Sequence, residues 1–327
     1  LKNQTRNYIK EDEDAVVKLQ EKFKEKHPEY WIRSGTVYSE HPAFEQGKNI
    51  LCGFNEEGDL VAYAPIFPTL AADKEGAPHH FWMDILYNPF DPGYPEIKDQ
   101  LFRGVIERAN VLKAQYDGHP CILTTLQMMH HQDSMAFYDS KGFRETTRLL
   151  TMRKKLKETL PVRKNGGNYI VRPYKLDDQA MIENYLRADR AANPTNPLSR
   201  EKLLWNLDNP WKGGKGYGIF DYSGNLVASV MTYSLEKGVY MTEEIFVTPP
   251  HQGKGLGELL LIEVLHALSE QGVFKAELEV KNDNTPAKKL YQKLGYITVK
   301  EECTLELQLG MDEIPLTKLF TVKLSGS

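Results

Sequence analysis

The stretch HQGKGLG, residues 251–257, sets Gly253, Gly255 and Gly257 at alternate positions beside Gln252 and Lys254. Glycine lets a backbone turn with several N–H groups facing one point and no side chain in the way, which is how many proteins hold phosphate. Three kinds of phosphate site compete for this pattern. A Walker loop needs Ser or Thr after its lysine, and Lys254 is followed by Gly255. A dinucleotide fingerprint spaces its glycines GxGxxG in the first turn of a βαβ unit; here the spacing is GxGxG and the loop comes late, after a run of hairpins. What remains is a strand, then Q-x-x-G-x-G, then a long helix whose positive end adds to the N–H groups. That combination is a seat for a pyrophosphate. The plainer reading of the same residues is a surface turn before a helix.

Two further sets of residues have the right types for chemistry. Asn284, Ala287 and Tyr291 recur at helical spacing and share one face. Glu243 and Glu244 lie on the strand before the loop and point to opposite faces, and Glu279 lies in LEVKN on the next strand. A carboxylate, directly or through water, is the usual acceptor of the proton that an attacking amine must lose. The plainer readings are solvated strand carboxylates and a core aromatic.

Periodicity supplies the elements that must position these groups. Residues 215–249 alternate as a strand meander, with turns at 221–225 and 236–238. Residues 257–272 are helical, with Leu260, Leu261, Val264, Leu265 and Leu268 on the apolar face and Gly272 as the stop. FKAELEV, 274–280, alternates as a strand. In NTPAKKLYQKLGY, Thr285 suits the N-cap, Pro286 the first helical position and Gly295 the stop.

The chain also repeats itself. TRNYIKEDEDAVV (5–17) aligns with VRPYKLDDQAMIE (171–183) at an offset of 166 (172 − 6), as does Gly58 with Gly224. MDILYNP (83–89) resembles EEIFVTP (243–249), and Tyr138 and Gly142 stand opposite Tyr291 and Gly295 at an offset of 153 (291 − 138). The falling offset means shorter loops in the second half. A repeat this long is a duplicated domain rather than a solenoid unit. The polar, glycine-containing stretch at 157–168 is the boundary it suggests. Sequential hairpins mixed with helices argue for an α+β layer fold in each half.

The 327 residues allow about two domains. A net charge of −4 gives no broad attraction to nucleic acid or anionic membrane. No apolar run is long enough to span a bilayer, and the charged start LKNQTRNYIKEDED is unlike a signal peptide. Cys52, Cys121 and Cys303 are few, odd in number and far apart, which fits buried residues in a reducing cytoplasm. His79-His80 and His130-His131, read as strand neighbours facing opposite ways, make no metal clamp, and no metal is expected.

The glycine loop and the later helix, in that order, resemble the GNAT superfamily of acetyl-CoA-dependent N-acyltransferases. Val247, Pro249, Gln252, Gly253, Gly255 and Gly257 match the family's V-x-P-x-x-Q/R-G-x-G-x-G. Asn284, Ala287, Leu290, Tyr291 and Gly295 match its N-x-x-A-x-x-L-Y-x-x-x-G-F, with Tyr296 in the final aromatic place. The resemblance covers most of 168–310 and, more faintly, 1–156. Over LEVKNDNTPAKKLYQKLGY it is similar to the ribosomal-protein N-acetyltransferases.

The resemblance implies two tandem GNAT-like domains, each a mixed, largely antiparallel sheet flanked by helices: a degenerate one at 1–156, a linker at 157–167, and the acetyl-CoA site within 168–327. It implies that Gln252, Gly253, Lys254, Gly255, Leu256, Gly257 and Asn284 bind the co-substrate. The N–H groups of Phe246 and Val247 would serve its pantetheine arm and thioester oxygen. Tyr291 would protonate the departing thiolate, and Glu244 or Glu279 would take the proton from the amine. The reaction expected is direct transfer of acetyl to an amine of a small molecule or peptide, by a monomer or homodimer. A non-catalytic CoA- or metabolite-binding module, another acyl group and a hydroxyl acceptor are the alternatives.

The first half departs from the family at the loop. It reads NPFDPGYPEIKDQ (88–100), where Pro89, Pro92 and Pro95 remove N–H donors and Asp91 and Glu96 repel phosphate. His131 and Ser134 replace Asn284 and Ala287, while Tyr138 is kept. This half is therefore expected not to bind acetyl-CoA in that way and to be structural or substrate-shaping, as in duplicated acetyltransferase folds such as the mycothiol synthases. Candidate walls of an acceptor pocket are 30–38 and 190–211, the latter including Trp205 and Trp211, for which packing between layers is the plainer reading.

Overall fold

The computed structural model describes residues 4–28, 41–71, 76–116, 119–163, 167, 169–195 and 197–310. The chain forms two compact units, Leu1–Thr146 with Cys303–Ser327, and Thr147–Glu302. The candidate wall at 30–38 lies outside the described residues, as does part of the expected linker.

Unit 1 contains β1 (Gln4–Asn7), α1 (Glu13–Lys26), β2 (Ile50–Phe54), β3 (Leu60–Thr69), β4 (His79–Met83), β5 (Leu86–Tyr87), α2 (Tyr94–Gln115), β6 (Cys121–Met128) and α3 (Gln132–Ser140). Its strand order is β1-β2-β3-β4-β6, with β5 on β3. The β1, β2, β3 and β4 neighbours are antiparallel, and β4 runs parallel to β6 from His79–Cys121 to Trp82–Thr124. Leu19, Phe23, Ile66, Phe81, Leu101 and Val105 are buried in the core between helices and sheet.

Unit 2 is built from most of β7 (Arg144–Lys155), then β8 (Val171–Tyr174), α4 (Gln179–Ala192), α5 (Arg200–Asp208), β9 (Lys215–Phe220), β10 (Leu226–Glu236), β11 (Val239–Val247), α6 (Leu256–Glu270), β12 (Lys275–Lys281), α7 (Thr285–Lys293) and the start of β13 (Ile297–Gln308). The order is β7-β12-β11-β10-β9-β8. Only β11 and β12 pair in parallel among these neighbours. The expected meander, long helix, strand and short helix are thus all present. Helix α4 starts where the Asp178 carboxylate accepts from the Met181 N–H at 2.8 Å. Helix α6 buries Leu256, Leu259 and Ile262 besides the five residues of its expected apolar face, so it is covered on more than one side. Truncating Leu260 or Leu265, both fully buried, costs about 2–5 kcal/mol. Gly272 and Gly295 end α6 and α7 with φ of 77° and 86°.

The compact units do not end where the sequence halves end. Residues Leu149–Lys155 of β7, from the first half, pair antiparallel with β12, and Leu150 and Met152 enter the core of unit 2. The end of β13, from the second half, goes to unit 1, where Cys303, Leu305 and Leu309 join the core and the Leu309 N–H donates to the Cys121 carbonyl at 2.9 Å. The chain therefore changes unit within two strands, at 146/147 and 302/303, rather than in a linker at 157–167. A repeat marks the duplicated stretch of sequence but says nothing of which sheet its last strand joins.

All three cysteines are buried, with no disulfide. Burial pushes the Cys52 thiol up to about 12. His79 accepts from the Ala71 N–H and His80 contacts the Thr124 hydroxyl, whereas His130 and His131 lie past the end of β6 with their rings 4.4 Å apart. The described residues contain no group of three His, Cys, Asp or Glu side chains able to hold a metal. No helix among them is long and apolar enough to cross a membrane.

Candidate active site

The parallel strands of unit 2 pair only from Val239–Lys275 to Met241–Glu277. Beyond them the Thr242 hydroxyl donates to the Glu277 carbonyl at 2.9 Å, and the strands then part. Among the described residues, the β12-facing edge of β11 has no strand neighbour from Glu243 to Val247, which leaves its polar backbone groups free of a sheet partner there. Phe246 and Val247 sit on this stretch; the Phe246 side chain is buried against Tyr185, with ring centres 5.6 Å apart.

On its other edge β11 carries a bulge. Ser229 pairs with Phe246 and Met231 with Glu243, so Val230 faces both Glu244 and Ile245. Glu244 adopts φ 50°, in the left-handed region. Strict alternation predicted that Glu243 and Glu244 face opposite ways; the bulge breaks it. Both carboxylates act on Tyr185 and Tyr233, and Glu243 repels the Glu244 charge. Burial, with Glu243 and Asp189 adding to it, raises the Glu244 pKa to about 7, against the opposing effect of Lys202. Glu279, on β12, is exposed. Its pKa is also raised, by desolvation first, then by Glu302 and more weakly by Glu243 and Glu277, with Lys300 opposing.

Two residues complete this cluster. Trp211, 2% exposed, donates its indole N–H to Glu243 at 3.0 Å. It is core, not the wall of an open pocket; Trp205, 56% exposed with the Lys202 ammonium 4.2 Å from its ring centre, faces solvent. Tyr233, buried on β10, has its phenol pKa raised by burial, by the Glu243 charge and hydrogen bond, and by Glu279 and Glu244. Sequence reasoning missed Tyr233, because only the β10–β11 pairing brings it to the glutamates. Its alternation with Met231 on a strand ahead of the loop was the available signal.

The glycine loop follows β11 directly. Gly253 and Gly255 take φ of 72° and 74°, and a Cβ on either would meet nothing within 4 Å. The glycines are thus required by backbone conformation, and the space above them is clear. Gly255 is the N-cap of α6, and the Leu259 N–H is the first to donate back, to the Gly255 carbonyl at 3.0 Å. The N–H groups of Leu256, Gly257 and Glu258 precede it at the positive end of a 15-residue helix. Lys254 is exposed, and the Leu256 side chain is buried in the core, so only its backbone can serve a ligand. The Gln252 side chain donates to the Val247 carbonyl at 2.9 Å. It ties the loop to the strand, so the side chain is engaged within the protein.

Helix α7 begins one residue earlier than its sequence suggests. Asn284, not Thr285, is the N-cap: its side-chain oxygen accepts from the Ala287 N–H at 3.2 Å. Asn wins because its carboxamide reaches the third residue of the helix. The group expected to touch the co-substrate is therefore engaged in holding the helix that carries Tyr291. Tyr291 is 6% exposed among Leu260, Leu294 and Tyr296, and no described residue accepts its hydroxyl proton. Burial alone raises its pKa to about 12, so it stays protonated at neutral pH.

Unit 2 is thus a mixed, largely antiparallel sheet that opens its parallel pair of strands toward a glycine turn and a helix N-terminus. Residues 180–296, all within unit 2, match the model of the acetyltransferase (GNAT) family. A mycothiol acetyltransferase of Nocardioides sp. is 28% identical over 193 residues, covering 51% of this chain and 62% of that protein. One of Brachybacterium faecium is 29% identical over 175 residues, covering 50% and 53%. The chain thus spans somewhat more than half the length of these curated relatives.

Among solved structures, a GCN5-related N-acetyltransferase from Sphaerobacter thermophilus superposes with a TM-score of 0.66 at 16% identity, covering 94% of this chain and 96% of that one. A tandem GNAT protein from the clavulanic acid biosynthesis pathway gives 0.63 at 13%, covering 95% and 100%. These two show likeness of fold. Residues 180–296 of the second half thus match the acetyltransferase (GNAT) family, and the chain as a whole shares the tandem fold of these structures.

Proposed function

We propose that unit 2 moves an acetyl group from acetyl-CoA to an amine by direct attack. The observation that carries this is the parting of β11 from β12 immediately before a turn built on Gly253 and Gly255. Acetyl-CoA, as co-substrate, supplies the activated thioester. Backbone N–H groups at 253–258 hold its pyrophosphate, and the open edge of β11 around Phe246 and Val247 holds the pantetheine and polarises the thioester oxygen. Glu244, directly or through water, takes the proton from the attacking amine; a carboxylate with a pKa about 7 suits that task near neutral pH. As the C–S bond breaks, Tyr291 gives its proton to the thiolate. The enzyme forms no covalent intermediate.

The acceptor is an amine of a small molecule or peptide, and the relatives' name supplies one acceptor to include in any panel. The enzyme works as a monomer or homodimer in the cytoplasm, without nucleic acid or metal. Free-thiol release from acetyl-CoA across a panel of amines tests the reading. Release that depends on an amine is expected. CoA binding without release, for any amine, would make the unit a binding module; release only with hydroxyl acceptors or other acyl-CoAs would redefine the transfer.

A further inference from the structure

We propose that Trp211 is a positioning residue, whose indole N–H fixes the Glu243 carboxylate beside Glu244 and so divides the two neighbouring acids into a stationary charge and a proton acceptor. This rests on the reading of Glu244 as the acceptor. Trp211 is held from both sides of its own backbone: its N–H donates to the Asn206 carbonyl and its carbonyl accepts from the Gly214 N–H, each at 2.7 Å. The indole is packed edge-on to Tyr185, with ring centres 6.4 Å apart, and is almost wholly buried. A donor so restrained offers one direction, and Glu243 lies along it at 3.0 Å. The Tyr233 hydroxyl, from β10, approaches the same carboxylate.

Glu244 has no such anchor: no described residue donates a hydrogen bond to its carboxylate. It faces Glu243 on its own strand, Asp189 and Tyr185 on α4, Lys202 on α5 and Tyr233 on β10. Of these, Glu243 is the strongest ionic influence on it. The bulge brings the two acids together, and the tryptophan decides which of them moves.

Carboxyl titration of the ligand-free full chain tests this, by carbon NMR of glutamate labelled at Cδ, with the Glu244 signal assigned from Glu244→Gln. Trp211→Phe frees Glu243 to turn away, so the Glu244 midpoint should fall by about half a pH unit or more. Glu243→Gln removes the charge and should lower it further. Benzothienylalanine at position 211, which keeps the shape and lacks the N–H, separates lost packing from the lost donor and serves if Trp211→Phe does not fold. It should reproduce the Trp211→Phe shift. A Glu244 midpoint unchanged in both position-211 variants overturns the proposal. The titration needs no substrate, so failure to find any acyl acceptor would count against the functional reading without touching this result. Where turnover is measurable, the acidic limb of kcat/KM should move with the NMR midpoint.

Discussion

At the head of α6 in unit 2, Gly255 is left-handed and has clear space above it. At the head of α2 in unit 1, Gly93 has an ordinary right-handed φ of −83°, and Pro95 follows it in the first turn. The Asp91 carboxylate there accepts from the Gly93 N–H at 2.9 Å and from Asn55 at 3.2 Å. Unit 1 thus satisfies its own loop with its own acid, whereas in unit 2 no described carboxylate accepts from the N–H groups of Gly253 or Gly255.

Behind the loops, much else is kept. Helices α3 and α7 each have nine residues, their N-caps His131 and Asn284 have ψ of 73° and 69°, and both are followed by a left-handed glycine, Gly142 and Gly295. Tyr138 and Tyr291 are both buried. The fifth residue of the preceding helix differs: Leu260 in α6, but Lys98 in α2. The Lys98 ammonium lies 4.1 Å from the Phe137 ring centre and 5.7 Å from that of Tyr138. Burial lowers its pKa to about 8. A buried tyrosine at this point is therefore a packing feature common to both units.

The contrast can be tested from the largest effect to the smallest. Glu244→Gln should lower kcat about 10²–10⁴-fold near neutral pH with CoA affinity unchanged, whereas Asp84→Asn, at the aligned position of unit 1, should leave both as they are. Steady-state kinetics and calorimetry check the pair; equal losses would erase the distinction between units. Tyr291→Phe should reduce turnover about 10- to 100-fold while Tyr138→Phe does not, read in the same assays.

The pH dependence is smaller. kcat/KM should fall as pH drops through about 7, where Glu244 takes up a proton. Because its pKa is raised in the fold, Glu244 favours folding below its unfolded pKa, near 4.5, and that contribution is lost as pH rises through about 7. Glu244→Gln should therefore stabilise the protein at alkaline pH by about 1–3 kcal/mol, as judged by denaturant melts.

Lys98 has the opposite sign. With its pKa depressed in the fold, its contribution is present above the unfolded value near 10.5 and is lost as pH falls through about 8. Lys98→Met should flatten stability between those values and leave turnover unchanged.

Much of unit 2 was legible because local rules govern it. The alternation of 215–247, the leucines of 257–268 and the glycines at 272 and 295 each carry their own periodicity or backbone requirement. The cap at Asn284 was displaced by one residue because Asn and Thr both suit the position and only the bond to Ala287 separates them. Other features depend on partners distant in sequence. The bulge at Glu244 arises from register with β10, the Trp211–Glu243 bond joins residues 32 apart (243 − 211), and the strands exchanged between units follow from which core buries Met152 and Leu305.

The central claim is that one open N–H seat, in unit 2, takes the co-substrate. Calorimetric titration of the full chain with acetyl-CoA tests it most directly, comparing the wild type with Gly255→Asp. Aspartate tolerates the left-handed backbone better than most residues, fits the clear space at position 255, and gives unit 2 the acid that closes the loop of unit 1. The account predicts one acetyl-CoA per chain, with binding lost in a variant that still folds. Two sites in the wild type, or unchanged binding in Gly255→Asp, would contradict it.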